Sequence, residues 1–248
     1  MKRILMTITA LFLLAIIAYS GHQLWIIRKN TVQEAQMHEQ LIQYRPQLPL
    51  TISESADSTS REVNPSIAAL KTKYPDAVGW LTIANTNIDY PFVQGTDNEH
   101  YLHLDIDQSS AAAGTIFMDH RNQQDFSDFN TILYGHHMKS GSMFATIQKF
   151  DQQAFFDANR FGIIFLEHKA YEIEFIAFGV IAADDAIIYG PTMTETTDKI
   201  TFFDHIERTA RHYRDIGVTE DDRMVTLSTC NYEFHDARMV LIGRLIEM

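Results

Sequence analysis

Eight strand-length runs, each closed off by turn residues, constrain this chain more than any other feature. They are Trp80–Ile83, Asn87–Val93, Thr115–Met118, Thr131–Tyr134, Phe161–Leu166, Tyr171–Ile181, Met224–Cys230 and Met239–Ile242. Many short strands with turn signals between them indicate a β-sandwich or a β-barrel. Asn85-Thr86, between the first two runs, reads as a hairpin turn. Two helical stretches interrupt the series. One follows Ser142, with Met143, Ile147 and Phe150 on one face. The other runs from about Asp198 to Arg214, with Ile200, Phe203, Ile206, Ala210 and Tyr213 at helical spacing. Both stripes read as packing against a core. A shorter helix is expected before the strands. Asn64 caps it, Pro65 takes its first position, Ile67 and Leu70 face inward, and it stops before Pro75. The fold class is mainly β with α.

The start of the chain is different. Lys2 and Arg3 precede an uncharged stretch, Ile4 to Ile27, broken only by Ser20, Gly21, His22 and Gln23. That length spans a bilayer, for which about 20 residues suffice. Trp25 lies near the far end, where aromatic anchors gather. Ala18-Tyr19-Ser20 offers a signal-peptidase site. Resumption of the apolar run at Leu24 favours an uncleaved anchor instead. Arg28 and Lys29 balance Lys2 and Arg3, so basic residues do not settle orientation. Asn30 to Gln43 is polar and helix-compatible, a natural stalk. Arg45 to Glu62, with Pro46, Pro49 and a Ser/Thr/Asp/Glu-rich run, is a linker. The expected division is an anchor over 1–28, a stalk and linker over 29–64, and one folded domain over 65–248.

A net charge of −12 with no basic stripe argues against a nucleic-acid partner. The chain has one cysteine, so an internal disulfide is impossible, and an unpaired thiol outside the cell is a candidate reactive group. That cysteine, Cys230, ends one strand, and Arg238 begins the next across a short polar stretch. In an antiparallel hairpin the two sit side by side. A guanidinium beside a thiol favours the thiolate. A small buried hydrophobe next to a surface salt bridge is the plainer alternative. A cysteine nucleophile also needs a proton donor for its leaving group. Of the 11 histidines, His136-His137 stand out because they follow a strand ending in Gly135. Strand ends are where a rigid scaffold presents chemistry. His100 and His103 are three apart, a weak basis for metal ligation. No phosphate-cradling glycine loop and no cysteine-based metal site is visible in the sequence.

These residues carry a resemblance. Tyr134-Gly135-His136-His137-Met138, Gly141-Ser142-Met143-Phe144, Thr226-Leu227-Ser228-Thr229-Cys230 and Arg238 resemble class B sortases. So do Gly79-Trp80, Ile88 to Gln94, Asp97-Asn98, Tyr101-Leu102 and Gly114 to Asp119. The likeness covers residues 65 to 248, making this the catalytic domain. It implies an eight-stranded β-barrel with an N-terminal helix and a long helix between strands 6 and 7. It also implies a membrane-anchored cysteine transpeptidase, single-pass, with its catalytic domain extracellular on a Gram-positive type membrane. Such enzymes cleave a C-terminal sorting motif of secreted proteins through a Cys thioester. They pass the new carboxyl end to an amine of peptidoglycan or its lipid-linked precursor, or of a pilin subunit. By motif position Cys230 is the nucleophile, His136 the general acid and base, and Arg238 the transition-state stabiliser. Asn98, Leu102, Tyr134 and Ser228 match substrate-binding positions. No cofactor is implied. Asn231 and Tyr232 stand where many relatives place an acidic residue, so no third acidic member is assigned and Asp236 is a weak candidate. The loop from Ala182 to Glu195 should line the groove, but its sequence names no contacts. A hydrolytic cysteine peptidase and a surface binding module remain as alternatives.

Overall fold

The computed structural model describes residues 2–47, 63–230 and 236–248, with Cys230 described through its backbone. Most of the expected linker and most of the polar loop after Cys230 lie outside these residues. Helix α1 runs over Lys2–Leu41, and its residues up to Gln40 form a unit by themselves. Ile4, Leu5, Leu11, Phe12 and Ile17 on it are all exposed. The helix is long and apolar enough to cross a membrane.

The second unit starts at Leu41. Helix α2, Pro65–Lys73, begins as expected: the Asn64 side chain accepts from the backbone N–H groups of Ser66 and Ile67, and Ile67 and Leu70 are buried. The strands are β1 (Ala77–Ile83), β2 (Asp89–Gln94), β3 (Ile116–Met118), β4 (Asn130–Tyr134), β5 (Phe161–Phe165), β6 (Ala170–Ala182), β7 (His212–Tyr213), β8 (Arg223–Cys230) and β9 (Ala237–Glu247). They form one nine-stranded sheet in the order β5-β1-β2-β3-β4-β8-β9-β6-β7, and a further β5–β6 pairing closes it. Strand β7 hangs on the outside of β6, which leaves eight strands around the barrel. This is the barrel the resemblance implies, and every expected strand is in it.

Alternation along the strands builds two cores. Leu227 and Leu241 point into the barrel with Phe92, Phe144, Phe175 and Phe178. Val240 and Ile242 point outward and pack with Phe202 and Ile206 of helix α4, Thr196–Thr209. Both faces of β9 are buried, which is why Met239 to Ile242 reads as an unbroken apolar run.

Two helical expectations need correction. The stretch after Ser142 is a 3-10 helix, Ala145–Asp151, followed by the short α3, Gln153–Ala158. Phe144, Ile147 and Phe150 are all fully buried at a strict spacing of three, which suits three residues per turn better than 3.6. The second helix ends at Thr209, not Arg214. Beyond it the backbone N–H groups of Arg211 and Arg214 donate to the carbonyls of Phe178 and Ile176. The sheet therefore takes the chain from the helix. Phe202 and Ile206 are its buried residues, and Ile200 is exposed.

Candidate active site

One parallel pairing assembles the site. Strands β4 and β8 run parallel, from Asn130 beside Met224 to Tyr134 beside Ser228. The Gly135 N–H then donates to the Ser228 carbonyl at 3.1 Å. Both strands end at the same rim. His136 follows Gly135 there, and Cys230 is the last residue of β8. Strand β9 starts at that rim, antiparallel to β8, and Arg238 is the direct partner of Cys230.

A cleft of about 340 Å³ opens at the rim, lined by His136 and Arg238. Asn98, Leu102, Tyr134 and Ser228, the candidate substrate contacts, line it too. His137 does not; it bridges to Met143 instead. The cleft also holds Phe117, Arg121 and Thr229, which sequence reasoning missed, and Ala183 and Tyr189, which it did not name. Tyr189 comes from the loop expected to line the groove. Its hydroxyl bonds the Ser228 hydroxyl at 2.8 Å. Arg238 donates to its neighbour's carbonyl, Ala237 O, at 3.1 Å. Its guanidinium has no carboxylate partner among the described residues. Asp236 contributes a backbone carbonyl, which accepts from the Ala183 N–H. Among the described residues no three His, Cys, Asp or Glu side chains converge as metal ligands. His100 bonds Gln108, and the His103 ring stacks against His136 at 6.1 Å between centroids.

The orientation of His136 is fixed from outside its own strand. Its Nε2 lies 2.7 Å from the Leu102 carbonyl oxygen. A carbonyl only accepts, so Nε2 carries the hydrogen, and in the neutral ring Nδ1 keeps the lone pair. Gly114 supports Leu102 from behind. It has φ +57°, and a Cβ there would meet the Leu102 oxygen at 2.6 Å. Gly135 lets the strand end lie flat on a buried ring, since a Cβ there would meet Phe144 at 2.7 Å. Gly135→Ala is therefore expected to cost about 1–3 kcal/mol of stability through overpacking. It should also lower turnover, because the displaced residue precedes His136. A thermal melt showing a drop of several degrees, with a parallel activity assay, checks this. An unchanged melt would show that Phe144 yields freely.

Behind the cleft wall lies a fully buried carboxylate, Asp119. Arg121 grips it with two nitrogens, Nε to Oδ1 at 2.8 Å and Nη2 to Oδ2 at 2.7 Å. Asn98 Nδ2 and the Tyr134 hydroxyl each donate to Oδ2 at 3.0 Å. Burial by itself would raise the Asp119 carboxyl; the Arg121 donors, with those of Asn98 and Tyr134, outweigh it and hold it at about 2. Burial, reinforced by Asp119, pushes the Tyr134 phenol far above its usual range, so it remains a donor. The available signal was a charged residue placed directly after the apolar run Thr115–Met118.

Comparisons with known proteins identify the family and the fold. The pattern that defines the Sortase domain matches residues 81–246. Sortase B of Listeria monocytogenes is 34% identical over 95% of this chain and 94% of its own length. Sortase B of Staphylococcus aureus is 30% identical over 100% and 99%. The solved structure of the Staphylococcus aureus sortase B–substrate complex superposes with a TM-score of 0.77 at 28% identity, over 89% of this chain and 99% of that one. Clostridium perfringens sortase B superposes with a TM-score of 0.68 at 34% identity, over 72% and 98%. With its closed barrel, its rim of strand ends and these relatives, the chain belongs to the sortase family of cysteine transpeptidases, in class B.

Proposed function

We propose that Cys230, His136 and Arg238 carry out transpeptidation on a sorting motif near the C-terminus of secreted proteins. The acceptor is an amine of peptidoglycan or its lipid-linked precursor. The observation that carries this reading is the shared rim of β4, β8 and the start of β9. His136 Nδ1 takes the Cys230 thiol proton, and the resulting thiolate attacks the scissile carbonyl, forming a C–S bond and an oxyanion. The C–N bond then breaks, and the departing amine takes a proton from His136. Because Leu102 holds the Nε2 hydrogen, Nδ1 is the nitrogen that gives and regains that proton. An incoming amine, deprotonated at Nδ1, attacks the thioester, and the C–S bond breaks to return the thiolate. Asn98, Leu102, Tyr134 and Ser228 shape the binding groove with Tyr189.

Arg238 stabilises the oxyanion through fixed donors. A guanidinium presents a planar fork, whereas an ammonium is a mobile point charge. Arg238→Lys should thus lose at least about tenfold in turnover, since one oxyanion donor is typically worth about 100- to 1000-fold. Steady-state cleavage of a fluorogenic sorting peptide measures it. Near-native turnover with lysine would leave only a charge role for this residue.

The apolar part of α1 anchors the chain, single-pass, with the catalytic domain outside the cytoplasm. Intact-mass measurement of membrane-extracted protein should find residues 1–28 retained. A soluble mature chain beginning near Gly21 would show a cleaved signal peptide. The transpeptidation reading is tested by mass spectrometry of the full chain in detergent with sorting-motif peptides and candidate amines. Amine-joined product is expected; free acid alone would make the protein a hydrolase.

A further inference from the structure

The Asp119–Arg121 pair has an unused donor. Nε and Nη2 of Arg121 are both held by Asp119, and Nη2 also donates to the Tyr189 carbonyl at 3.1 Å. Three bonds fix the plane of the guanidinium. Nη1 makes no hydrogen bond among the described residues. The side chain is 44% exposed where it lines the cleft. Beside it the Tyr134 and Tyr189 rings stack with centroids 6.2 Å apart. An ion pair buried at one end is a poor device for stability, because apolar replacements often do as well. It is a good device for holding a fork still.

We propose that Arg121 is a specificity-determining residue, positioned by Asp119 to offer Nη1 to an uncharged oxygen acceptor on a side chain of the substrate peptide. The acceptor is uncharged because Asp119 already cancels the charge of Arg121, so this wall of the cleft offers donors with no net charge of its own. The flanking tyrosine rings cover the rest of that side chain. Among the described residues Arg121 shares no hydrogen bond with His136 or Arg238. Its contribution therefore falls on binding and not on the chemical step. The inference rests on the transpeptidase reading above.

The test uses the full chain in detergent and a series of peptides. At one position at a time, each peptide carries a carboxamide, a carboxylate or an apolar side chain of equal size. At one position the unaltered protein should prefer the carboxamide over the apolar side chain by about tenfold or more in kcat/KM. Arg121→Lys keeps the charge opposite Asp119 but loses the fork. It should abolish that preference, with the change in KM. A second variant, Asp119→Asn with Arg121→Gln, leaves neither charge buried alone and should lose the same preference at the same position. If Arg121→Lys folds poorly, the double variant decides. A uniform fall for all peptides, or an unchanged profile in both variants, would reduce the pair to a structural role and overturn the proposal. An unaltered protein inert to every peptide would overturn the transpeptidase reading first.

Discussion

Replacing Cys230 with alanine is expected to abolish both peptide cleavage and amine transfer, a loss of at least about 10⁴-fold. The chain holds one cysteine, so no second thiol can take over. The backbone of Cys230 is the last rung of the β8–β9 ladder, opposite Arg238. Alanine supports that ladder equally well, so the barrel should fold and melt as before. The groove should still take up the peptide, since its lining is untouched. Product mass after prolonged incubation with peptide and amine is the measurement. Retained transfer would remove the thioester from the mechanism and return Cys230 to a buried hydrophobe.

His136→Ala should lose about 100- to 10,000-fold in turnover, the usual contribution of a positioned acid and base. His137→Ala should remain near native. Adjacent residues on extended chain point to opposite sides. The two histidines part in that His136 lines the cleft and His137 does not. The Leu102 carbonyl gives His136, and not its neighbour, a fixed tautomer. Paired kinetics of the two variants decide the matter. A dead His137 variant beside an active His136 variant would shift the proton shuttle by one residue.

Local order was legible in the sequence. Strand runs, the Asn64 cap and the Asn85-Thr86 turn depend on a few neighbouring residues, and each lies where the sequence puts it. The partnership of Cys230 with Arg238 was legible too, because a hairpin is the shortest-range tertiary contact. Motif resemblance added His136, which periodicity could not have chosen from among the histidines.

What the sequence by itself determined is therefore the list of strands, the apolar N-terminal helix and the candidate chemistry at strand ends. Only the tertiary structure decided how these meet. The parallel β4–β8 pairing joins segments far apart in the chain, and nothing in either strand's apolar pattern names its neighbour. The same pairing sets His136 at the Cys230 rim. The Leu102 carbonyl reaches His136 only because Gly114 allows the 3-10 turn His100–Leu102 to pack closely. The long helix stops at Thr209 because β6 offers the following backbone better partners than another helical turn would. Asp119 ends a run that reads as simple core, and its significance comes from Arg121 two residues on and from donors in two other segments, Asn98 and Tyr134. Hydrophobic pattern records which face a residue buries, but long-range hydrogen bonds and register depend on the closed barrel, where distant segments meet.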